Sequence, residues 1–295
     1  VPETTTTTTT LSEAVNGWFL ANARELPWRE SGCSAWGILV SEFMLQQTPV
    51  ARVLPQWQAW LERWPTPGAL AAVPPGEAVR AWNRLGYPRR ALWLHACAVA
   101  ITEQHGGKVP RDVDALLALP GIGPYTARAV AVFAYGVRAP VVDTNVRRVL
   151  ARAVDGQAEP GPPSAVRDLA AMSAVLPVDD AEARVFNAGA MELGALVCTA
   201  RAPLCGDCPL ASACAWRIAG YPSYDGPRRA VQKKYEGSDR HVRGLIMREL
   251  RAAHVPVTDA EVAALWPDEV QLARSLAGLV ADGLAVRDGT GYVLP

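Results

Sequence analysis

Four cysteines constrain this chain more than any other feature: Cys198, Cys205, Cys208 and Cys214, in CTARAPLCGDCPLASAC, with the spacing C-x6-C-x2-C-x5-C. A stretch this short has little core of its own, so a metal centre shared by four thiolates would hold its shape. Thiolates are soft ligands, and the candidates are zinc or an iron–sulfur cluster. Structural zinc sites more often carry two C-x2-C pairs, and this run has one. Spacing alone leaves both open.

The other two cysteines, Cys33 and Cys97, stand apart. A metal site plus two free thiols fits a reducing cytoplasm better than a disulfide scaffold. Half of the 295 residues are hydrophobic and ten are tryptophan, enough for two domains with buried cores. No apolar run approaches the length of a membrane span. The opening VPETTTTTTT lacks a secretory pattern, and residues 1–10 read as a disordered tail.

Formal net charge is zero, but its distribution is uneven. Residues 198–251 carry ten Lys/Arg against five Asp/Glu, and residues 252–295 carry two against six. A basic belt can neutralise phosphates, and a solvated linker has the same composition. Residues 11–220 read as short helices punctuated by Pro and Gly. Residues 221–238 (YPSYDGPRRAVQKKYEGS) read as a linker. Residues 239–295 then read as three helices, at 240–253, 258–266 and 269–282, followed by two short strands around Asp288-Gly289. That pattern is a small winged-helix-like module. Such modules often bind DNA, but the acidic balance here fits packing or partner contact at least as well.

The run LPGIGPYTA at 119–127 lies between two helical patterns. Asp114 is the expected N-cap of the first. Gly121 and Gly123 allow a tight turn with positive φ and leave backbone N–H groups bare beside a helix N-terminus. That geometry suits a phosphate, directly or through a cation. An ordinary interhelical turn uses the same residues.

Two carboxylates stand out. Glu42 lies in WGILVSEFMLQQT at 36–48, a helix apolar almost all round and therefore expected to be buried. An ionised carboxylate is disfavoured there, so its pKa should rise, and a carboxyl protonated near neutrality is a usable general acid. A Glu at a helix edge paired with an arginine is the plainer reading. Asp143, before TNVRRVL, reads as a helix N-cap. An Asp at a helix's open end can also stay ionised and stabilise a cationic sugar. A neutral acid and a charged carboxylate are what glycosidic cleavage needs.

Taken together, these residues resemble the helix–hairpin–helix base-excision glycosylases with a [4Fe-4S] cluster, and within them the MutY-type adenine DNA glycosylases. The resemblance rests on LPWR at 26–29, SEFMLQQT at 41–48, LGY at 85–87, LPGIGPY at 119–125, VDTNV at 142–146 and the four cysteines. It covers about residues 11–219. It implies an all-α catalytic region: a six-helix barrel at about 30–140 and a cluster domain built from the N-terminal segment and about 140–220, with a DNA-facing cleft between them. It also implies that Cys198, Cys205, Cys208 and Cys214 hold a [4Fe-4S] cluster as structure. The sister family, endonuclease III, uses a hairpin lysine as its lyase nucleophile; Tyr125 stands there in this chain and cannot form a Schiff base. Thr144 departs from the MutY pattern, where Gly is usual.

The resemblance further implies a monofunctional enzyme that flips out adenine mispaired with 8-oxoguanine or guanine in double-stranded DNA. Glu42 would protonate the adenine and later activate water. Asp143 would stabilise the cationic sugar, with Tyr125 and Asn145 orienting these groups. Leu45, Gln47, Thr48 and Tyr87 match wedging residues, and Leu26, Trp28, Arg29 and Val50 match the adenine pocket. Gly121 and Gly123 match the hairpin that grips the DNA backbone. The expected protein is a monomer in the cytoplasm, associated with the nucleoid. Many such enzymes add a Nudix-like domain that senses 8-oxoguanine; the residues after the linker read as helices, not as its curved sheet. Two alternatives are a thymine glycosylase of the same fold and a non-catalytic iron–sulfur damage sensor.

Overall fold

The computed structural model describes residues 3–227 and 234–295, so Val1 and Pro2 of the expected tail and residues 228–233 of the expected linker lie outside it. The helices are α1 (Glu3–Asn22), α2 (Ala35–Leu45), α3 (Val50–Arg63), α4 (Pro67–Ala71), α5 (Pro75–Trp82), α6 (Arg89–Gln104), α7 (Val113–Leu117), α8 (Pro124–Tyr135), α9 (Thr144–Ala153), α10 (Ala165–Val175), α11 (Asp180–Leu196), α12 (Ala215–Ile218), α13 (Asp239–Ala252), α14 (Asp259–Ala263) and α15 (Glu269–Ala281). Three strands, β1 (Val257–Thr258), β2 (Val286–Asp288) and β3 (Gly291–Val293), complete the described structure. The fold is thus helical with one small sheet.

The chain divides into two units. The first takes Val1–Ala35, Arg111–Asp114 and Gly123–Arg229, and so includes α8, ahead of the expected start near 140. Its core joins Leu11 and Val15 of α1, Val146, Val149 and Leu150 of α9, Met172 of α10, and Phe186 and Leu193 of α11. Burying side chains of this size stabilises by roughly 1.5–3 kcal/mol each. The segment expected to be a disordered tail is helical from Glu3 onward. Nucleation is the unfavourable step of helix formation. Packing from Leu11 onward anchors α1, and earlier residues then extend a helix already begun.

The second unit takes Trp36–Pro110, Ala115–Ile122 and Ala230–Pro295. Trp60 lies edge-on to Trp64 (centroids 4.7 Å) and to Trp82 (5.7 Å). Two indoles bind α2 to α3: Trp57 Nε1 donates to the Gly37 carbonyl at 2.8 Å, and Trp36 Nε1 donates to the Trp64 carbonyl at 3.0 Å. Indole N–H groups buried with carbonyl partners fix orientation as well as area.

The C-terminal elements group with this second unit. Their sheet is antiparallel in the order β1-β3-β2, with Val257 and Arg287 both opposite Tyr292. Strand β1 has two residues, too short to show as alternation. It ends at Thr258, which caps α14 through a reciprocal bond with Glu261. The helix expected at 258–266 is therefore only Asp259–Ala263. Arg251 Nε donates to the Val79 carbonyl (3.2 Å), Arg80 Nη1 to the Ala253 carbonyl (3.0 Å), and Gly76 N to the Pro295 carbonyl (2.6 Å). Arg89 and Asp282 pair at 3.1 Å. Much of the module's negative charge is neutralised by such pairs, including Asp239–Arg274 and Asp259–Arg287.

Candidate active site and cluster site

Asp143 is the N-cap of α9, as its place before TNVRRVL predicts. Its Oδ1 accepts from the backbone N–H groups of Asn145 (2.9 Å) and Val146 (2.7 Å), and its Oδ2 accepts from Asn145 Nδ2 (2.8 Å). Burial holds this carboxyl above its ordinary value, opposed by those three donors and by the Arg148 charge. Asn145 is held in turn, since its Oδ1 accepts from Arg148 Nη2 at 2.8 Å. Arg148 also donates to the carbonyls of Gly194 (2.5 Å) and Cys198 (2.7 Å). The close passage of α9 over α11 depends on Gly194, where an added Cβ would sit 2.7 Å from Asn145 Cβ. Thr144, the departure from the MutY pattern, is exposed in the first turn of α9.

Leu26 and Trp28 are buried, in and beside a 3₁₀ turn at Pro27–Arg29. Arg29 Nη2 reaches Glu192 Oε2 at 2.9 Å, where Arg24 Nη2 also binds at 2.7 Å. Burial alone would raise the Glu192 carboxyl, but the hydrogen bonds from Arg24 and Arg29 outweigh it and hold it at about 2. Arg29 is thus committed to an ion triad around the buried Glu192, which no local sequence pattern marks. Tyr125, in the first turn of α8, is half-buried against Ala129, Val132 and Val141.

The hairpin corrects two expectations. The cap ahead of α7 is Asp112, whose Oδ1 accepts from Asp114 N at 3.0 Å; Asp114 lies inside the first turn. Only Gly121 needs positive φ (+74°), and an added Cβ there would lie 2.5 Å from Trp93 Cβ. Gly123 is extended (φ −95°, ψ 175°) as the N-cap of α8, with open space around it. What glycine provides at 123 is a bare backbone.

In the second unit Glu42 is 6% exposed, on a helix whose residues from Trp36 to Met44 are all buried, as the pattern predicts. The chain leaves α2 at Leu45 and re-enters a helix at Val50. Between them Gln47 is exposed with φ +57°, and Thr48 is buried. Thr48 Oγ1 donates to the Leu85 carbonyl at 3.2 Å, which brings Leu45–Thr48 beside Leu85–Tyr87. Tyr87 has φ +47° and is 51% exposed. Two residues outside glycine in the left-handed region, at two adjoining bends, are uncommon. The structure therefore brings Gln47, Thr48 and Tyr87 together on one unit.

Cys198, Cys205, Cys208 and Cys214 line one cavity, walled by Val197, Leu204 and Trp216. Burial raises the Cys198 thiol, opposed by a hydrogen bond from Arg152 (Nη1 to Sγ, 3.5 Å). Burial also raises Cys208 to about 11, with the other three cysteines adding to the rise. Four soft donors that sense one another's charge, beside an arginine, fit an iron–sulfur cluster. Arg152 donates as well to the carbonyls of Ala158 (3.0 Å), Thr199 (2.7 Å) and Ala200 (3.2 Å), and its guanidinium lies 4.7 Å from the Trp216 ring centroid. Among the described residues, no three His, Cys, Asp or Glu side chains are placed to share a single metal ion.

Arg90, Arg148, Arg152 and Glu192 join the site without a signal in the sequence. Nothing local marks them: Arg90 is 3% exposed while the side chain of its neighbour Arg89 is 51% exposed.

Residues 40–170 match the HhH-GPD superfamily base excision DNA repair protein profile. Residues 198–214 match the iron-sulfur binding domain of endonuclease III. An adenine DNA glycosylase of Mycobacterium tuberculosis is 55% identical over 280 residues, 94% of this chain and 91% of that protein. One from Mycolicibacterium smegmatis is 55% identical over 275 residues, 93% of this chain and 92% of that protein. A solved thermostable thymine-DNA glycosylase superposes with a TM-score of 0.66 at 26% identity, covering 73% of this chain and 99% of its own.

Proposed function

The chain belongs to the adenine DNA glycosylase family, and from that premise we propose that it hydrolyses the N-glycosidic bond of adenine mispaired with 8-oxoguanine or guanine, without cutting the strand. Its four cysteines hold a [4Fe-4S] cluster, which supplies a rigid scaffold for the segment 198–214.

Glu42 donates a proton to the adenine ring, making the base a better leaving group, and the bond between C1′ and the base breaks. Asp143 stabilises the resulting sugar cation. Water then adds at C1′ and returns its proton to Glu42. The observation that carries this reading is the fixation of both Asp143 oxygens by three donors, which aims a carboxylate without freedom to turn. Asn145 supplies two of those donors, and Tyr125 helps orient the reacting groups. Leu45, Gln47 and Tyr87 wedge into the stack and line the space opposite the flipped base, and Thr48 holds the Gln47 bend beneath them. Gly121 and Gly123 shape the hairpin that holds the DNA backbone. Leu26, Trp28 and Val50 contact the flipped adenine. Arg29, whose charge is engaged by Glu192, fixes the turn that carries Trp28.

The test uses duplexes carrying A:8-oxoguanine, A:G and T:G, developed with and without hot alkali. Breaks only after alkali, and only at adenine, are the expected result. Breaks without alkali would refute the monofunctional reading, and excision at T:G would assign the thymine substrate.

A further inference from the structure

Arg90 makes a connection that no catalytic role explains. It is a buried arginine at the start of α6, and it touches both wedge segments. Its Nη1 donates to the carbonyls of Phe43 (3.1 Å) and Gln46, and its Nη2 to the Gly86 carbonyl (3.3 Å) and to Thr48 Oγ1 (3.4 Å). Its guanidinium lies 5.0 Å from the Tyr87 ring centroid and 5.7 Å from that of Trp82.

Two of these acceptors have a particular place in the chain. The Gln46 carbonyl belongs to the peptide that enters Gln47, and the Gly86 carbonyl to the peptide that enters Tyr87. The φ angle of a residue sets the orientation of the carbonyl before it. Gripping those two carbonyls therefore grips the φ angles of Gln47 (+57°) and Tyr87 (+47°). Left-handed backbone costs roughly 1–2 kcal/mol at a residue with a Cβ, so each bend needs support from outside. Charge-assisted bonds from one planar fork provide it at both bends together. Lysine, a point charge on a flexible stem, cannot reproduce that fork. Burial lowers the Arg90 pKa to about 10, which leaves it charged at neutral pH.

We infer that Arg90 is the positioning residue that locks Gln47 and Tyr87 in the conformation that enters the DNA stack. The inference rests on the proposed wedge role of those two residues. Arg90 acts through them and touches neither base nor sugar.

The experiment compares Arg90→Lys, Arg90→Met, Tyr87→Ala and Gln47→Ala with the parent, all with cluster loaded and melting curves recorded. A fluorescent 2-aminopurine next to the mispair reports unstacking. Single-turnover excision is measured on an A:8-oxoguanine duplex and on a duplex whose adenine faces an abasic site, where the stack is already broken. Both Arg90 variants should lose most of the unstacking signal and excise the mispair at least about tenfold more slowly, the effect of ~1.4 kcal/mol. The rate opposite the abasic site should stay within about threefold, ~0.65 kcal/mol by the same relation. Equal losses on both duplexes, or full function in Arg90→Lys, would overturn the inference. If Arg90→Met fails to fold, Arg90→Lys carries the test. If Tyr87→Ala and Gln47→Ala leave the signal intact, the wedge reading falls first. If they abolish it while both Arg90 variants keep it, only the Arg90 inference falls.

Discussion

Arg148 donates to Asn145 Oδ1 at 2.8 Å, and that one bond joins Asp143 to the cluster segment. On one side Asn145 Nδ2 holds Asp143 Oδ2, and on the other Arg148 Nε holds the Cys198 carbonyl. Removing the guanidinium should loosen the carboxylate and the cysteine loop together. Arg148→Met is expected to lower single-turnover excision by about 10- to 100-fold, the range seen when a group that orients a functional ligand is lost. Iron retained per protein after dialysis against a chelator should fall as well. Loss of activity with iron retention unchanged would show that the two ends are uncoupled.

Glu42 is tested by replacing acid with amide. Glu42→Gln keeps the size and removes the transferable proton from a buried site. Excision should fall by at least about 10²–10⁴-fold, the contribution of a general acid, with duplex affinity unchanged. Excision near the parent rate would exclude Glu42 as the proton donor.

The parts of the site that were legible in sequence are local in chain. The cysteine spacing, the Asp143 cap and the apolar wrapping of Glu42 each lie within one short run of residues, so pattern alone revealed them. Arg90, Arg148 and Glu192 were not legible, because most of their partners lie 42 to 168 positions away. Arginine at such a position looks like any solvated arginine. The hairpin shows a subtler limit. Glycine at 121 and glycine at 123 read alike, yet backbone conformation demands only the first.

That difference can be measured. Gly121→Ala must place a methyl in left-handed backbone and against Trp93, and the two effects together should destabilise by about 2–4 kcal/mol. Gly123→Ala meets neither obstacle and should melt close to the parent. If the hairpin holds phosphate, Gly123→Ala weakens DNA binding without lowering stability. Equal melting temperatures for the two variants would refute this account.

Glu192 gives a pH prediction with a defined sign. Its folded carboxyl sits at about 2, below its ordinary value, because the bonds from Arg24 and Arg29 overcome burial. A depressed carboxylate contributes stability above its unfolded pKa, and that contribution is lost as pH falls through the folded one. The window therefore runs from about pH 4.5 down to about pH 2, and the contribution is on the order of 3 kcal/mol. Glu192→Gln should lower the melting temperature at neutral pH. The gap between variant and parent should narrow as acid is added. A gap constant down to the lowest pH would mean that the triad's charge contributes nothing.

The C-terminal module makes the last prediction. Arg80, Arg89 and Val79 bind it to α5 and α6, and α6 begins with the turn that carries Arg90. Ending the chain after Ser238 removes the carbonyls that Arg80 binds and the Asp282 that pairs with Arg89. The truncated protein should melt at a lower temperature and excise more slowly. The ratio of its rates on A:8-oxoguanine and A:G should match that of the full chain, because Gln47, Thr48 and Tyr87 remain and are held to one another from within. The ratio of the two single-turnover rates, measured at a temperature where both proteins are folded, decides it. A changed ratio in a folded truncation would place mispair discrimination in the module.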